Sequence, residues 1–266
     1  MVESAGHLNP GDPVVEFARF RLGVAPGDPL DDLVRHVWTA RWDVPPGEVR
    51  SQHVLTYPAA NAVLQPAGAT LHGPSRALTT QDLTGRSWVV GVLLRPAATR
   101  LLTATEPARL VGRWEPLPDA PLAAVARSMA GSAGAGQPAV ADALRGWLSP
   151  VAAGVDDAGR LANAACRVAE EDTDVLRVAD LADRLGTTTR TLSRVVRQHT
   201  GLTPKWLIEC RRLQAAASRL FADPGADLAG LAADLGYVDQ AHFTRRYRAV
   251  VGETPARTRS RAAAPA

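Results

Sequence analysis

Two hydrophobic periodicities divide the chain. Toward the N-terminus, apolar positions come in short runs broken every few residues by Pro and Gly; from Pro121 onward they recur at helical spacing. The clearest short run is RSWVVGVLLRP, Arg86 to Pro96, whose length and branched residues predict a buried strand. Shorter runs at His36 to Trp42, His53 to Thr56, Asn61 to Leu64 and Ala69 to His72 predict further strands, punctuated as in a small barrel or sandwich. PLAAVARSMA and AVADALRGWL read as helices separated by the Gly/Ala-rich GSAGAG, Gly131 to Gly136. SPVAAGVDD, Ser149 to Asp157, is small and carries Pro and Gly, which marks a domain boundary. The expected fold class is therefore α+β. A β-rich domain with terminal helices spans 1–150, a linker spans 151–157 and an all-α domain spans 158–266.

The helical region writes a single pattern twice. VADLADRLG places Leu181 and Leu185 one turn apart, and Gly186 can take the left-handed conformation that ends the helix. Thr188 caps the next helix, in which Leu192, Val195, Val196 and His199 share one face and Arg190, Ser193, Arg194 and Arg197 the other. LAGLAADLG repeats the opening, Gly236 repeats the stop, and Asp239 is the cap. Phe243, Tyr247 and Val250 then form the apolar face, leaving Gln240, Ala241, Thr244, Arg245 and Arg248 outside. The second copy carries one extra residue, located in its turn.

A short helix, a glycine turn and a helix with an apolar back and an arginine front make a helix-turn-helix, whose second helix fits the DNA major groove. Between the copies Thr203-Pro204 starts another helix, with Trp206, Cys210, Leu213, Ala217 and Leu220 along one seam, ending near Asp223-Pro224-Gly225. Such a rod is roughly 27 Å long. Successive major-groove faces lie about 34 Å apart, so with lateral offsets both second helices can meet one side of a duplex.

Charge sharpens the picture. From Arg184 onward there are 14 Lys and Arg against 6 Asp and Glu, a net charge of +8, which leaves −5 for the remainder of a 266-residue chain whose total is +3. A basic C-terminal region points to a polyanionic partner. Cys166 and Cys210 are the only cysteines and have no metal-site spacing, which argues against zinc or a disulfide framework. MVESAGHLNPGDP lacks a signal-peptide pattern, and no run is apolar enough to span a bilayer, so a cytoplasmic location without membrane contact is expected.

GYVDQAHFTRRYRAVVGETP, Gly236 to Pro255, and GLTPKWLIECRRLQAAASRL, Gly201 to Leu220, resemble the AraC/XylS transcriptional regulators over about Asp157 to Arg259. In place of the aromatic that these proteins usually carry after the final proline, this chain has PARTR. The resemblance implies a bacterial transcription regulator, often an activator, with double-stranded DNA as partner and no cofactor. Base-reading roles would fall on Arg190, Ser193, Arg194, Gln240, Ala241, Thr244 and Arg245, and phosphate contacts on Thr189, Arg197 and Arg248.

YPAANAVLQPAG and VVGVLLRPAATRLL are similar to a small β-barrel regulatory domain of such regulators, which implies a small-molecule effector or self-association, as monomer or homodimer. RNA polymerase is a further candidate partner. His36, His53 and His72 lack the His-x-His and Glu of a metal-binding barrel. Ser75 and Ser87 lack a nucleophile turn, and no catalytic residue is assigned. Two rival readings stay open. One is a DNA-repair methyl acceptor or other enzyme carrying the same DNA module, the other an architectural DNA binder without sequence preference.

Overall fold

The computed structural model describes residues 14–23, 25, 27–54, 57–77, 79–131 and 136–262. The start of the chain, the end of the His53 to Thr56 run, the His53 side chain and most of GSAGAG lie outside them.

Among the described residues eight strands come first: β1 (Val15–Phe20), β2 (Val34–Asp43), β3 (Arg50–Val54), β4 (Asn61–Gln65), β5 (Gly68–His72), β6 (Thr79–Leu83), β7 (Arg86–Leu94) and β8 (Trp114–Pro116). Six form one antiparallel sheet in the order β1-β2-β7-β4-β5-β8, while β3 and β6 make a separate ribbon. The region is thus β-rich as expected, with β1 and β8 at the two ends of the sheet's order. The strands that the hydrophobic pattern does not announce are β1, β6 and β8. Each has at most one face against the core: β6 exposes four of its five residues, and β8 is three residues long with Trp114 open to solvent. Cross-strand pairing rather than burial defines them.

The central β7 interrupts its apolar run with Gly91 for a packing reason. Trp38 of β2 sits directly opposite and lays its ring over that position. A Cβ there would lie 2.0 Å from a ring carbon.

Helices α1 (Pro96–Leu102), α2 (Pro107–Leu110), α3 (Leu122–Met129) and α4 (Gln137–Ala152) complete the N-terminal half. Val125, Met129, Val140, Leu144 and Leu148 of α3 and α4 close a core with Val37, Leu64, Leu71, Val90 and Val92 of the sheet. α4 continues through Ser149 and Pro150, so only residues 153–156 separate it from α5 (Asp157–Glu171).

The remaining helices are α6 (Val178–Arg184), α7 (Thr189–Thr200), α8 (Pro204–Ala222), α9 (Leu228–Asp234), α10 (Gln240–Val251) and α11 (Pro255–Ala262). α8 is the joining helix and serves two cores. Leu207 and Ile208 pack with Leu181, Leu192 and Val196 of α6 and α7, whereas Trp206, Cys210, Leu213, Ala217 and Leu220 pack with Leu231, Phe243 and Tyr247 of α9 and α10. The seam expected from the sequence is therefore one of two buried faces. The second, shorter face is carried by adjacent residues near the helix start, where helical periodicity hides it.

Candidate nucleic-acid interface

Both copies of the repeated unit fold alike, apart from one extra residue in the second turn. In the first, the Thr188 hydroxyl accepts from the Thr191 N–H at 3.1 Å to cap α7. In the second, Asp239 accepts from the His242 N–H at 2.6 Å to cap α10. Gly186 and Gly236 end α6 and α9 at φ of 60° and 71°, and Gly201 and Gly252 end α7 and α10 at 70° and 81°. A left-handed backbone at all four sites favours glycine, whose lack of Cβ removes the steric cost. α7 starts three residues after its glycine and α10 four, so the extra residue does sit in the second turn.

The buried faces explain the apolar spacing. Leu192, Val195, Val196 and His199 of α7 are buried, and the His199 ring is hydrogen-bonded to the Val195 carbonyl at 3.0 Å. In α10, Phe243 and Tyr247 meet edge to face with centroids 5.6 Å apart. The Tyr247 hydroxyl donates to Thr258 at 3.0 Å, and Thr258 donates to Glu253 at 2.7 Å. Thr258, in the PARTR segment, is fully buried on α11, so a polar chain from the Gly-Glu-Thr-Pro motif ties α11 to α10. Only the folded chain reveals that pairing.

On the opposite faces Thr189, Arg190, Arg194 and Arg197 are exposed on α7 and Ser193 is half-buried. On α10 Gln240, Ala241, Arg245 and Arg248 are exposed and Thr244 is half-buried. Among the described residues no carboxylate pairs with Arg190, Arg194, Arg197, Arg245 or Arg248; Arg194 contacts only Gln198, at 3.0 Å. Away from those faces, Arg184 pairs with Asp172, Arg219 with Asp234, and Arg246 with Glu209. Arg211 donates to the Val175 carbonyl, and Arg212 stacks 4.0 Å from the Tyr237 ring centroid. Both helix faces that the pattern of the sequence singles out therefore carry exposed guanidinium groups without a carboxylate partner among the described residues.

Residues 181–261 match a family model described as a helix-turn-helix domain. This is an AraC-type helix-turn-helix domain. The HTH-type transcriptional activator RhaS of Pectobacterium carotovorum subsp. carotovorum (strain PC1) is 34% identical to it over 82 residues, 31% of this chain. The chain covers 29% of that relative's length. The C-terminal domain of AraT, a response regulator from Geobacillus stearothermophilus, is similar at 20% identity and a TM-score of 0.36, over 40% of this chain and 88% of its own. ToxT from Vibrio cholerae O395, in complex with (E)-4-(8-methylnaphthalen-1-yl)but-3-enoic acid, is similar at 12% identity and a TM-score of 0.41, over 93% and 98% of the two chains. Residues 23–114 match a different model, a domain of unknown function (DUF6597).

What the sequence does not reveal is how the helical half is docked on the β-rich half. Asn163 of α5 accepts from the Ala97 N–H at 2.9 Å and donates to the Asp32 carbonyl at 2.8 Å. Glu170 of α5 accepts from Arg35 and from the Tyr57 hydroxyl, the latter at 3.0 Å, while the Arg35 guanidinium lies 4.1 Å from the Tyr57 ring centroid. Burial pushes the Tyr57 pKa well above its ordinary value, so the hydroxyl stays a donor. The end of α7 rests on α2, with Gly201 against the backbone of Pro107 and Ala108. Asn163 and Glu170 have no sequence signature; a lone Asn or Glu reads as surface.

Proposed function

We propose that the chain is a cytoplasmic bacterial transcription regulator that binds a specific double-stranded DNA site. In this reading α7 and α10 enter successive major grooves. Arg190, Ser193, Arg194, Gln240, Ala241, Thr244 and Arg245 face base edges, and Thr189, Arg197 and Arg248 hold phosphates. The observation that carries it is the set of exposed arginines on the outer faces of α7 and α10, none of which has a carboxylate partner among the described residues, whereas Arg184, Arg219 and Arg246 nearby are paired. Unpaired cations on the second helices of two linked helix-turn-helix units match the arrangement that reads duplex DNA. The RhaS relative is named an activator, and activation is the sign of regulation assigned here.

The β-rich domain regulates the reader, through an effector or through self-association. Its contacts to α5 and to the end of α7 support this role, because they seat the first unit directly against it. The methyl-acceptor reading has little support. Cys166 and Cys210 are both buried, and burial pushes each thiol up to about 12, the reverse of a reactive thiolate.

Selection of bound fragments from random duplex DNA by the full chain tests the proposal. The expected product is a bipartite motif whose halves lie about one helical turn apart. Recovery of unenriched sequence would leave only the architectural reading.

A further inference from the structure

Joining helix α8 walls a cavity of about 820 Å³ between the two helix-turn-helix units. Its charges are lopsided: Arg76, Arg177, Lys205, Arg212 and Arg246 line it against a single carboxylate, Glu209. That carboxylate is already taken, since Arg246 grips both its oxygens, Nη2 to Oε2 at 2.6 Å. Among the described residues no carboxylate pairs with Arg76, Arg177, Lys205 or Arg212.

Hydrogen bonding is unbalanced in the same sense. Arg212 Nε, Trp206 Nε1 and the Tyr237 hydroxyl are buried without a partner, and all three residues line the cavity. An indole N–H and a guanidinium N–H can only donate. These groups call for an acceptor, and the surrounding cations favour a negative one. The walls also include the apolar surfaces of Trp206, Ile208 and Val250. The volume falls in the range of small-molecule sites and is far larger than a simple inorganic anion fills.

Duplex DNA is a poorer occupant. The α10 residues that line the cavity are His242, Arg246, Ala249 and Val250. They lie one residue, about 100°, around the helix from the stripe of Ala241, Arg245 and Arg248.

We propose that this cavity binds an organic acid, its carboxylate held by Arg212, Lys205 and the Trp206 indole N–H and its apolar body set against Ile208 and Val250. The site touches both units, the joining helix and, through Arg76, the β-rich domain. Occupancy offsets the repulsion among the cations and fixes the placement of α7 relative to α10. The consequence for DNA rests on the function proposed above; the binding itself does not.

Calorimetric titration of the full chain with 3-phenylpropionate and 4-phenylbutyrate, their matching alcohols and inorganic phosphate tests the site. Saturable binding of at least one acid is expected, about tenfold tighter than its alcohol or phosphate. Lys205→Gln and Arg212→Gln should each weaken it about tenfold. Lys205 is exposed, so its substitution remains informative if the Arg212 variant unfolds. No saturable binding, equal binding of alcohol or phosphate, or unchanged affinity in Lys205→Gln would overturn the proposal. So would a loss of DNA affinity in Lys205→Gln without any acid binding, which would make these cations phosphate contacts. If the acid binds and no DNA site exists, the cavity stands and the regulator reading falls.

Discussion

Gly201 and Gly252 hold equivalent positions in the two units, and replacing each by Ala measures the contact between the halves of the protein. Both end a second helix in the left-handed region, at φ of 70° and 81°. An alanine there costs about 1–2 kcal/mol from its Cβ alone. Around Gly252 nothing lies within 4 Å of an added Cβ, so Gly252→Ala should cost that amount and no more. At Gly201 the same Cβ would lie 2.6 Å from the Pro107 carbonyl oxygen, 2.7 Å from Ala108 Cα and 2.8 Å from its nitrogen. These are backbone atoms, which cannot rotate aside, so α2 must lift off α7. Overpacking of this kind adds about 1–3 kcal/mol, giving a total of about 2–5 kcal/mol for Gly201→Ala. Urea unfolding of the two variants, with m-values compared, reads the difference directly. If both lose the same stability to within about 0.5 kcal/mol, α7 is not seated on α2 as described and the route from sheet domain to reading helix is lost.

Arg245→Ala should cost about 1–3 kcal/mol in site affinity and relax preference at one position of the motif, checked by gel shift against single-base variants; unchanged selectivity removes Arg245 from the readers. Arg248→Ala should weaken all sequences alike and flatten the dependence of log affinity on log salt by about one unit; a sequence-dependent loss would move Arg248 to the bases. Glu170→Ala removes the carboxylate that pairs with Arg35 and accepts from the Tyr57 hydroxyl, both largely shielded, and should lower stability by about 2–3 kcal/mol. Most of that loss should vanish in a background already lacking Arg35, and full additivity would show that the pair is not coupled. His36 is pushed down to about 3 from 6.5, first by burial and then by Arg19 and Arg35. It is neutral when folded and takes up a proton on unfolding, so its contribution is complete above pH 6.5 and is lost as pH falls toward 3. His36→Gln should flatten the decline of stability over that window; an unaltered pH profile would mean that His36 stays solvated.

The candidate interface was largely legible in the chain because helical units of this kind are local objects. A cap, an apolar stripe at i, i+3, i+4 and a left-handed glycine all lie within about 25 residues, and each is dictated by nearest neighbours along the helix. The repetition doubled every signal and identified the outward arginines by elimination. The same logic failed for β1, β6 and β8, which are strands because a partner pairs with them rather than because their own residues alternate.

Amino-acid order alone, then, determined the two linked units, the faces they turn outward and the uneven charge along the chain. Tertiary structure decided what those units are attached to and what lies between them. Asn163, Glu170, Tyr57 and Gly201 acquire roles only when residues from opposite halves of the chain are brought within hydrogen-bond or van der Waals reach. The cation-lined cavity likewise exists because folding places Arg76, Arg177, Lys205 and Arg212 around one space. Such convergence is long-range, leaves no period in the sequence, and is set by packing of whole elements rather than by the preferences of any one of them.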